Sequence, residues 1–386
     1  MIRCTSARVD LAAVRANYRA IAAYLAADAA LGHAAGQGRG VPPGIIAVVK
    51  ANAYGHGAVA VARALAEAGA SWLAVADIEE GIELRESGIG GRILVFGALS
   101  VSSLDGLFTH RLTPTISSPG AARALAAAAT RHGRRLSCHL KIDTGLNRLG
   151  FRDDNLRRTL PEVLASPALD VEAVFTHFAT ADDAEHELFE QQRMRFAAAR
   201  AAVSGLDGRV RLAHAANSAA CLRDSRTWGD WVRPGLLLYG VVPPPLASTI
   251  ALTPAMTLTS RVVAVKGVRP GEAVGYGARH VTSAPVTLAV VPAGYADGLD
   301  RRLEGRGAAL VRGQRAPIVG AVSMDMLTVD VTAIAEVTPG DEVVFLGSQG
   351  RDALQTIDAR EMAAWLGTIP YEVLCRLGAR VAREYH

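Results

Sequence analysis

A lysine placed to act as a nucleophile ends one of the most apolar stretches of the 386-residue chain. Ile45 to Val49 read as a buried strand and Lys50 follows. A glycine-punctuated loop then carries Asn52, Tyr54 and His56 into the alanine-rich run 58–68. At the carboxyl end of a buried strand, where α/β folds place their active sites, desolvation favours the neutral amine, the form that attacks a carbonyl carbon. Taken alone, the stretch is equally well explained by a lysine reaching out of a strand end into water. Other chemistry-bearing residues end apolar runs in the same way. They are Lys141, leading to Asp143 and Arg148 in KIDTGLNRLG; His177 in THFAT; His214, Asn217 and Ser218 in HAANSA; and Arg233 ahead of Pro-Gly-Leu.

The elements that must position them recur with a beat. Strand-like segments fall at 45–50, 71–76, 92–96, 112–116, 136–142, 171–177, 210–215 and 230–233, with helical stretches such as 58–68, 78–87, 119–132 and 184–203 between them. Alternation at this spacing predicts parallel βα units, and eight of them predict a closed (β/α)8 TIM-type barrel, an α/β fold. Ahead of them, 10–27 predicts a helix with Asp10 as N-cap, and 32–44 a Gly/Pro-rich connection. Past PPPLAST (243–249) the texture turns to short alternating segments: 257–266, 286–291, 308–321 with an RGQR hairpin turn, 326–331 and 342–346, then one helix over 355–366. We expect a barrel domain over 1–245 and a smaller, mainly β domain over 246–386.

Composition narrows the function classes. With 41 basic against 37 acidic residues and no basic block, nucleic acid is not an expected partner. Four scattered cysteines form no metal-ligand spacing, so neither a disulfide scaffold nor a metal site is expected. Charges interrupt the first residues where a signal peptide needs its apolar centre, and no run is long enough to span a membrane. These features fit a cytoplasmic protein.

In a TIM barrel the loops after the seventh and eighth strands commonly bind phosphate, and Ser218 with the backbone around Gly235 and Leu236 fits that place. A phosphate opposite a carbonyl-reactive lysine suggests pyridoxal phosphate. A guanidinium only donates hydrogen bonds, so Arg233 beside a pyridine nitrogen would leave that nitrogen unprotonated, weaken the ring as an electron sink and favour a short-lived carbanion. The β-rich part adds Tyr276 in GYGARH, Tyr295 in GYADG, Met324 and Asp325 in VSMDM, and Tyr371 in YEVLC.

Together AVVKANAYGHG (47–57), KIDTGLNRLG, THFATAD, HAANSA, RPGLLLYG, GYGARH, GYADG, VSMDM and YEVLC run the length of the chain, which closely resembles the alanine racemases, fold-type III pyridoxal phosphate enzymes. The resemblance implies an eight-stranded barrel followed by a β-rich domain, in a homodimer. It implies that Lys50 holds the cofactor and serves as base toward D-alanine, while Tyr276, reaching the partner subunit's barrel, serves toward L-alanine. Arg148 then contacts the substrate carboxylate and the cofactor's phenolic oxygen, and Met324 lies against substrate across the dimer. Tyr54, Ser218, Gly235, Leu236 and Tyr371 match phosphate-binding positions, and Asn217 falls in the same motif. His177, Arg233 and His214 match a hydrogen-bonded chain under the cofactor. Lys141 matches a lysine that some members carry as a carbamate, and Tyr295 and Asp325 supporting positions.

Inversion at Cα needs a proton to leave one face and return to the other, so two bases are expected. For Tyr276 this requires a phenol more acidic than usual, and His177 and Arg233 are the expected cations. The resemblance implies L-alanine/D-alanine interconversion supplying D-alanine to peptidoglycan. A broader amino-acid or serine racemase, a non-catalytic pyridoxal phosphate-binding protein and a decarboxylase on the same scaffold stay open.

Overall fold

The computed structural model describes residues 4–34, 40–98, 103–350 and 353–386, so part of the expected 32–44 connection lies outside the described residues. Eight parallel strands close a barrel. In chain order they are Gly44–Val48, Trp72–Val75, Arg92–Val95, Thr113–Ile116, Leu136–Asp143, Leu169–Phe175, Leu212–Asn217 and Trp231–Arg233. Each pairs in parallel with its neighbours. Trp231↔Gly44 closes the ring between the last and the first, so no edge is left. The strands are buried on both faces, Ile46, Ala47, Ile93 and Leu94 completely, which is why they read as continuous apolar runs. The helix opening the chain, Leu11–Ala34, is capped by Asp10, whose Oδ1 accepts from the Ala13 N–H at 2.8 Å.

The second body is a ten-stranded, largely antiparallel sheet. The RGQR turn joins Ala308–Val311 to Gln314–Val319, with Arg312 and Gly313 both at positive φ (52° and 77°), the geometry whose twist matches a two-residue hairpin. Two expectations change. The segment 257–266 is two strands, Met256–Arg261 and Ala264–Val268, because the chain turns at Val262–Val263 and pairs anew with Val286–Val291. The segment 355–366 is not one helix: Gln355–Ile357 pairs with Glu342–Gln349, and the helix starts at Ala359, where Asp358 accepts from the Glu361 N–H at 2.7 Å. The first strand, Ser6–Val9, also lies in this sheet, between Met256–Arg261 and Ala382–Tyr385. The start and end of the described chain thus tie the second body to the barrel.

Candidate active site

Past Val49 the backbone does something L-residues avoid. Ala51, Asn52, Ala53 and Tyr54 all lie in the left-handed region, with φ between 52° and 53°. Each such residue costs roughly 1–2 kcal/mol, so the surroundings must over-determine the turn. Glu80, on the helix Ile78–Glu86, accepts from the Ala51 N–H at 2.6 Å and the Ala76 N–H at 2.7 Å, binding the ends of the first two strands together. Asn52 Oδ1 accepts from the Ala58 N–H at 2.7 Å, and the Tyr239 hydroxyl donates to the Val48 carbonyl at 2.9 Å. Sequence reading passed over Glu80 because it sits in IEEGIELRE, where one acid among several looks like a solvated helix face.

This turn sets Lys50 and Tyr54 on the wall of a cavity of about 340 Å³ at the carboxyl ends of the barrel strands. Lys141, Arg148, His177 and Arg233 share that wall, as do Asn217, Ser218, Gly235 and Tyr371. Tyr371 arrives from the second body, on the helix Pro370–Cys375, with its ring 5.8 Å from that of Tyr54. Leu236 is fully buried beside Gly235, and His214 stands behind the wall, accepting from Arg233 Nη1 at 2.8 Å.

The cavity is cationic. Burial lowers the Lys50 amine, reinforced by Arg148 and opposed by Cys375 and Glu80. Burial, then Arg148 and Arg233, brings Lys141 down to about 8. Arg233 is brought to about 9 by burial, which leaves it protonated at neutral pH. Burial and the Arg233 charge hold His177 well below its usual range. His177 is therefore neutral, and the expectation that it serves as a cation gives way. Lysines sharing a desolvated space with two guanidiniums favour an anionic occupant and hold their amines more easily deprotonated than usual.

The loops after the seventh and eighth strands meet at the cavity wall. The Gly235 N–H donates to Ser218 Oγ at 2.9 Å, and Asn217 Oδ1 accepts from the Ala220 N–H at 2.9 Å, capping the turn that presents Ser218. A Cβ on Gly235 would stand 2.3 Å from the Tyr54 hydroxyl, so only glycine leaves the space open. With the Lys50 amine, lowered by burial, on the same wall, these residues fit pyridoxal phosphate. Gly235→Ala is expected to weaken cofactor affinity about tenfold or more, the order seen when a group supporting a bound centre is disturbed. Cofactor titration of apoprotein with an unchanged melting temperature is the check.

Tyr276 does not reach this cavity within its own chain. It is 75% exposed on the short turn Tyr276–Ala278. Met324 and Tyr295 are also exposed, and Asp325 pairs with Arg380 at 2.8 Å. The loops carrying them are neighbours: the Tyr295 N–H donates to the Ser323 carbonyl at 3.0 Å, and a Cβ on Gly275 would lie 2.8 Å from the Ala321 nitrogen. The two tyrosines, Met324 and Met326 are thus apolar side chains exposed on neighbouring loops.

A closed (β/α)8 barrel with Lys50, Ser218 and Gly235 around a cavity at the carboxyl ends of its strands, joined to a β-rich body that lends Tyr371, defines a class of two-domain barrel enzymes. Within it, the alanine racemase N-terminal domain family matches residues 9–243 and the alanine racemase C-terminal domain family residues 255–385. The alanine racemase of Symbiobacterium thermophilum is 40% identical over 385 residues, covering 100% of this chain and 97% of that one. The Carboxydothermus hydrogenoformans enzyme is 44% identical, covering 88% and 91%. The solved alanine racemase of Streptomyces lavendulae superposes with a TM-score of 0.91 at 36% identity, over 100% of this chain and 98% of that one. The Bartonella henselae alanine racemase, solved with covalently bound pyridoxal phosphate, gives 0.84 at 27% identity, over 99% of each chain. This chain belongs to the alanine racemase family, and it is an enzyme.

Proposed function

We propose that the chain interconverts L- and D-alanine with pyridoxal 5'-phosphate, using two bases, and supplies D-alanine for peptidoglycan in the cytoplasm. It works as a homodimer in which the barrel and the β-rich body act as two domains, divided near residue 245 except that Ser6–Val9 belongs to the second sheet, and each cavity is completed by the partner's second domain. The observation that carries this reading is the Lys50 amine, lowered by burial and by Arg148, on the same cavity wall as the Ser218–Gly235 cradle.

When bound, the cofactor supplies the electron withdrawal that makes a Cα proton removable. The chain supplies the rest. Ser218, Gly235, Leu236, Tyr54 and Tyr371 hold the phosphate, and Asn217 fixes the turn beneath it. Arg148 holds the substrate carboxylate, so the Cα–H bond presents one face to Lys50. Arg233, cationic and able only to donate, would leave a ring nitrogen held against it unprotonated, with His177 and His214 orienting the guanidinium. Lys50 Nζ takes or returns the proton on one face, and Tyr276 of the partner subunit does so on the other. Met324 of the partner subunit, with Tyr295 and Asp325 beside it, closes the entrance at these exposed loops. The presence of the second domain favours this over a non-catalytic cofactor-binding protein. A small pocket bounded by Tyr371 and by Met324 of the partner subunit favours alanine over bulkier substrates.

The test is a D-amino-acid-oxidase-coupled assay on L-alanine, run beside a panel of other L-amino acids, with a visible spectrum of the purified protein. Turnover of alanine together with a cofactor band is expected. A spectrum without a cofactor band, or preference for another amino acid, would reject the proposal.

A further inference from the structure

Arg233 is buried, and among the described residues no carboxylate is in contact with it. Its Nη2 donates to the Thr176 and Ala215 carbonyls at 2.8 and 2.9 Å, and its Nη1 to His214 Nδ1 at 2.8 Å. Beyond His214 the contacts continue down the inside of the barrel. His214 Nε2 lies 2.9 Å from His139 Nδ1, and both rings are fully buried. His139 Nε2 has no hydrogen-bond partner among the described residues, and Glu172 Oε2 lies 3.7 Å from it. That same oxygen accepts from Arg92 Nη2 at 2.7 Å. The Glu172 side chain is 20% exposed and that of Arg92 42%, so the far end of this line reaches solvent.

The direction of every bond follows from the first. A guanidinium only donates, so His214 Nδ1 must accept, and the ring's single proton lies on Nε2. That proton points at His139 Nδ1, which must accept in turn and leave its own proton on Nε2, facing the carboxylate. Burial lowers both imidazoles and keeps them neutral, as this assignment requires. Burial alone would raise Glu172, but His139 and Arg92 outweigh it and bring the carboxyl down to about 2, so the line ends on an anion. Aromatic walls keep it dry: Phe175 stacks on His214 with ring centres 4.7 Å apart, and Trp72 lies 5.2 Å from His139.

We propose that Glu172 and His139 are positioning residues for Arg233, acting through His214 along a one-way line that crosses the barrel from the active-site mouth toward its opposite end: two hydrogen bonds, Arg233 to His214 and His214 to His139, and then the electrostatic contact of His139 Nε2–H with the Glu172 carboxylate at 3.7 Å. Glu172 selects the tautomer of His139, His139 that of His214, and His214 holds the guanidinium in place. Without the carboxylate, His139 can move its proton to Nδ1. Two N–H groups then face each other at His214, and the mismatch reaches Arg233. The proposal rests on the reading above only in its kinetic part, which takes Arg233 as a group under the bound cofactor.

The first test is nitrogen-15 histidine NMR of the full-length holoenzyme and needs no variant. His139 and His214 are expected as neutral Nε2–H tautomers, and an Nδ1–H tautomer at either would overturn the proposal. The second compares Glu172→Ala with Glu172→Gln, whose carbonyl oxygen can still accept from Arg92 and present a partial negative charge to His139 Nε2–H. Glu172→Ala is expected to lower kcat about tenfold or more with KM within about threefold, the order found for groups that orient a ligand from behind, and to shift His139 to the other tautomer. Glu172→Gln is expected to restore kcat and tautomer alike. Equal kcat in Glu172→Ala and wild type, or Glu172→Gln as impaired as Glu172→Ala, would overturn it. Wild-type protein with Nε2–H tautomers but no racemisation would reject the functional reading and leave the line from Glu172 to Arg233 standing.

Discussion

Replacing Lys50 with alanine is expected to lower racemisation by at least ~10⁴-fold, because covalent attachment and one of two bases are lost together. The protein should still fold. Lys50 is half-buried at a strand end, and its side chain accepts none of the bonds that hold the left-handed turn. Those come from Glu80, Asn52 and backbone groups, which the substitution leaves in place. The melting temperature should therefore move by only a few degrees, while the cofactor band of the purified protein disappears. Added methylamine should return a small part of the activity if the missing group is an amine in a space the truncation opens. Lys141, on the same wall and at about 8, is the one competitor for the role. Lys141→Ala should keep the band. A Lys50→Ala enzyme that retained both the band and turnover would move the chemistry to Lys141 and defeat the assignment.

The barrel was legible because its strands are buried on both faces and end on polar residues, so Ile45–Val49 or Val171–Phe175 stand out from the alanine-rich helices around them. The residues of the cavity were legible for the same reason, since a strand end is where an apolar run meets Lys50, Lys141, His177 or Arg233. What escaped depends on pairing across distance. Ser6–Val9 is four residues long, and both its partners lie far off in sequence, so nothing local marks it as a strand of the second sheet. Gln355–Ile357 read as helix because its partner strand, not its own pattern, makes it extended. His139 sits in LSCHLKI, where one histidine in an apolar strand looks like ordinary core. Only the barrel interior shows it between His214 and Glu172.

Tyr276→Phe is expected to cost racemisation in both directions by about 10³-fold or more while leaving the cofactor band and the melting temperature unchanged, because the variant removes one proton-transferring oxygen and nothing else. The exposed position of Tyr276 makes a stronger test possible. If its phenol serves the partner's cavity, a dimer of one Lys50→Ala subunit and one Tyr276→Phe subunit contains one site with both defects and one with neither. Random re-association of the two inactive variants in equal amounts makes half the dimers mixed, so about a quarter of the wild-type activity should return. If each chain used its own Tyr276, every site in the mixture would lack a base and no activity would return. The exposure of Tyr276, Tyr295, Met324 and Met326 on neighbouring loops argues for the first outcome, since so much apolar surface on the second body is hard to reconcile with permanent exposure to water. Activity near a quarter would fix both the second base and the subunit it comes from, and a mixture as inactive as its parents would remove the shared site.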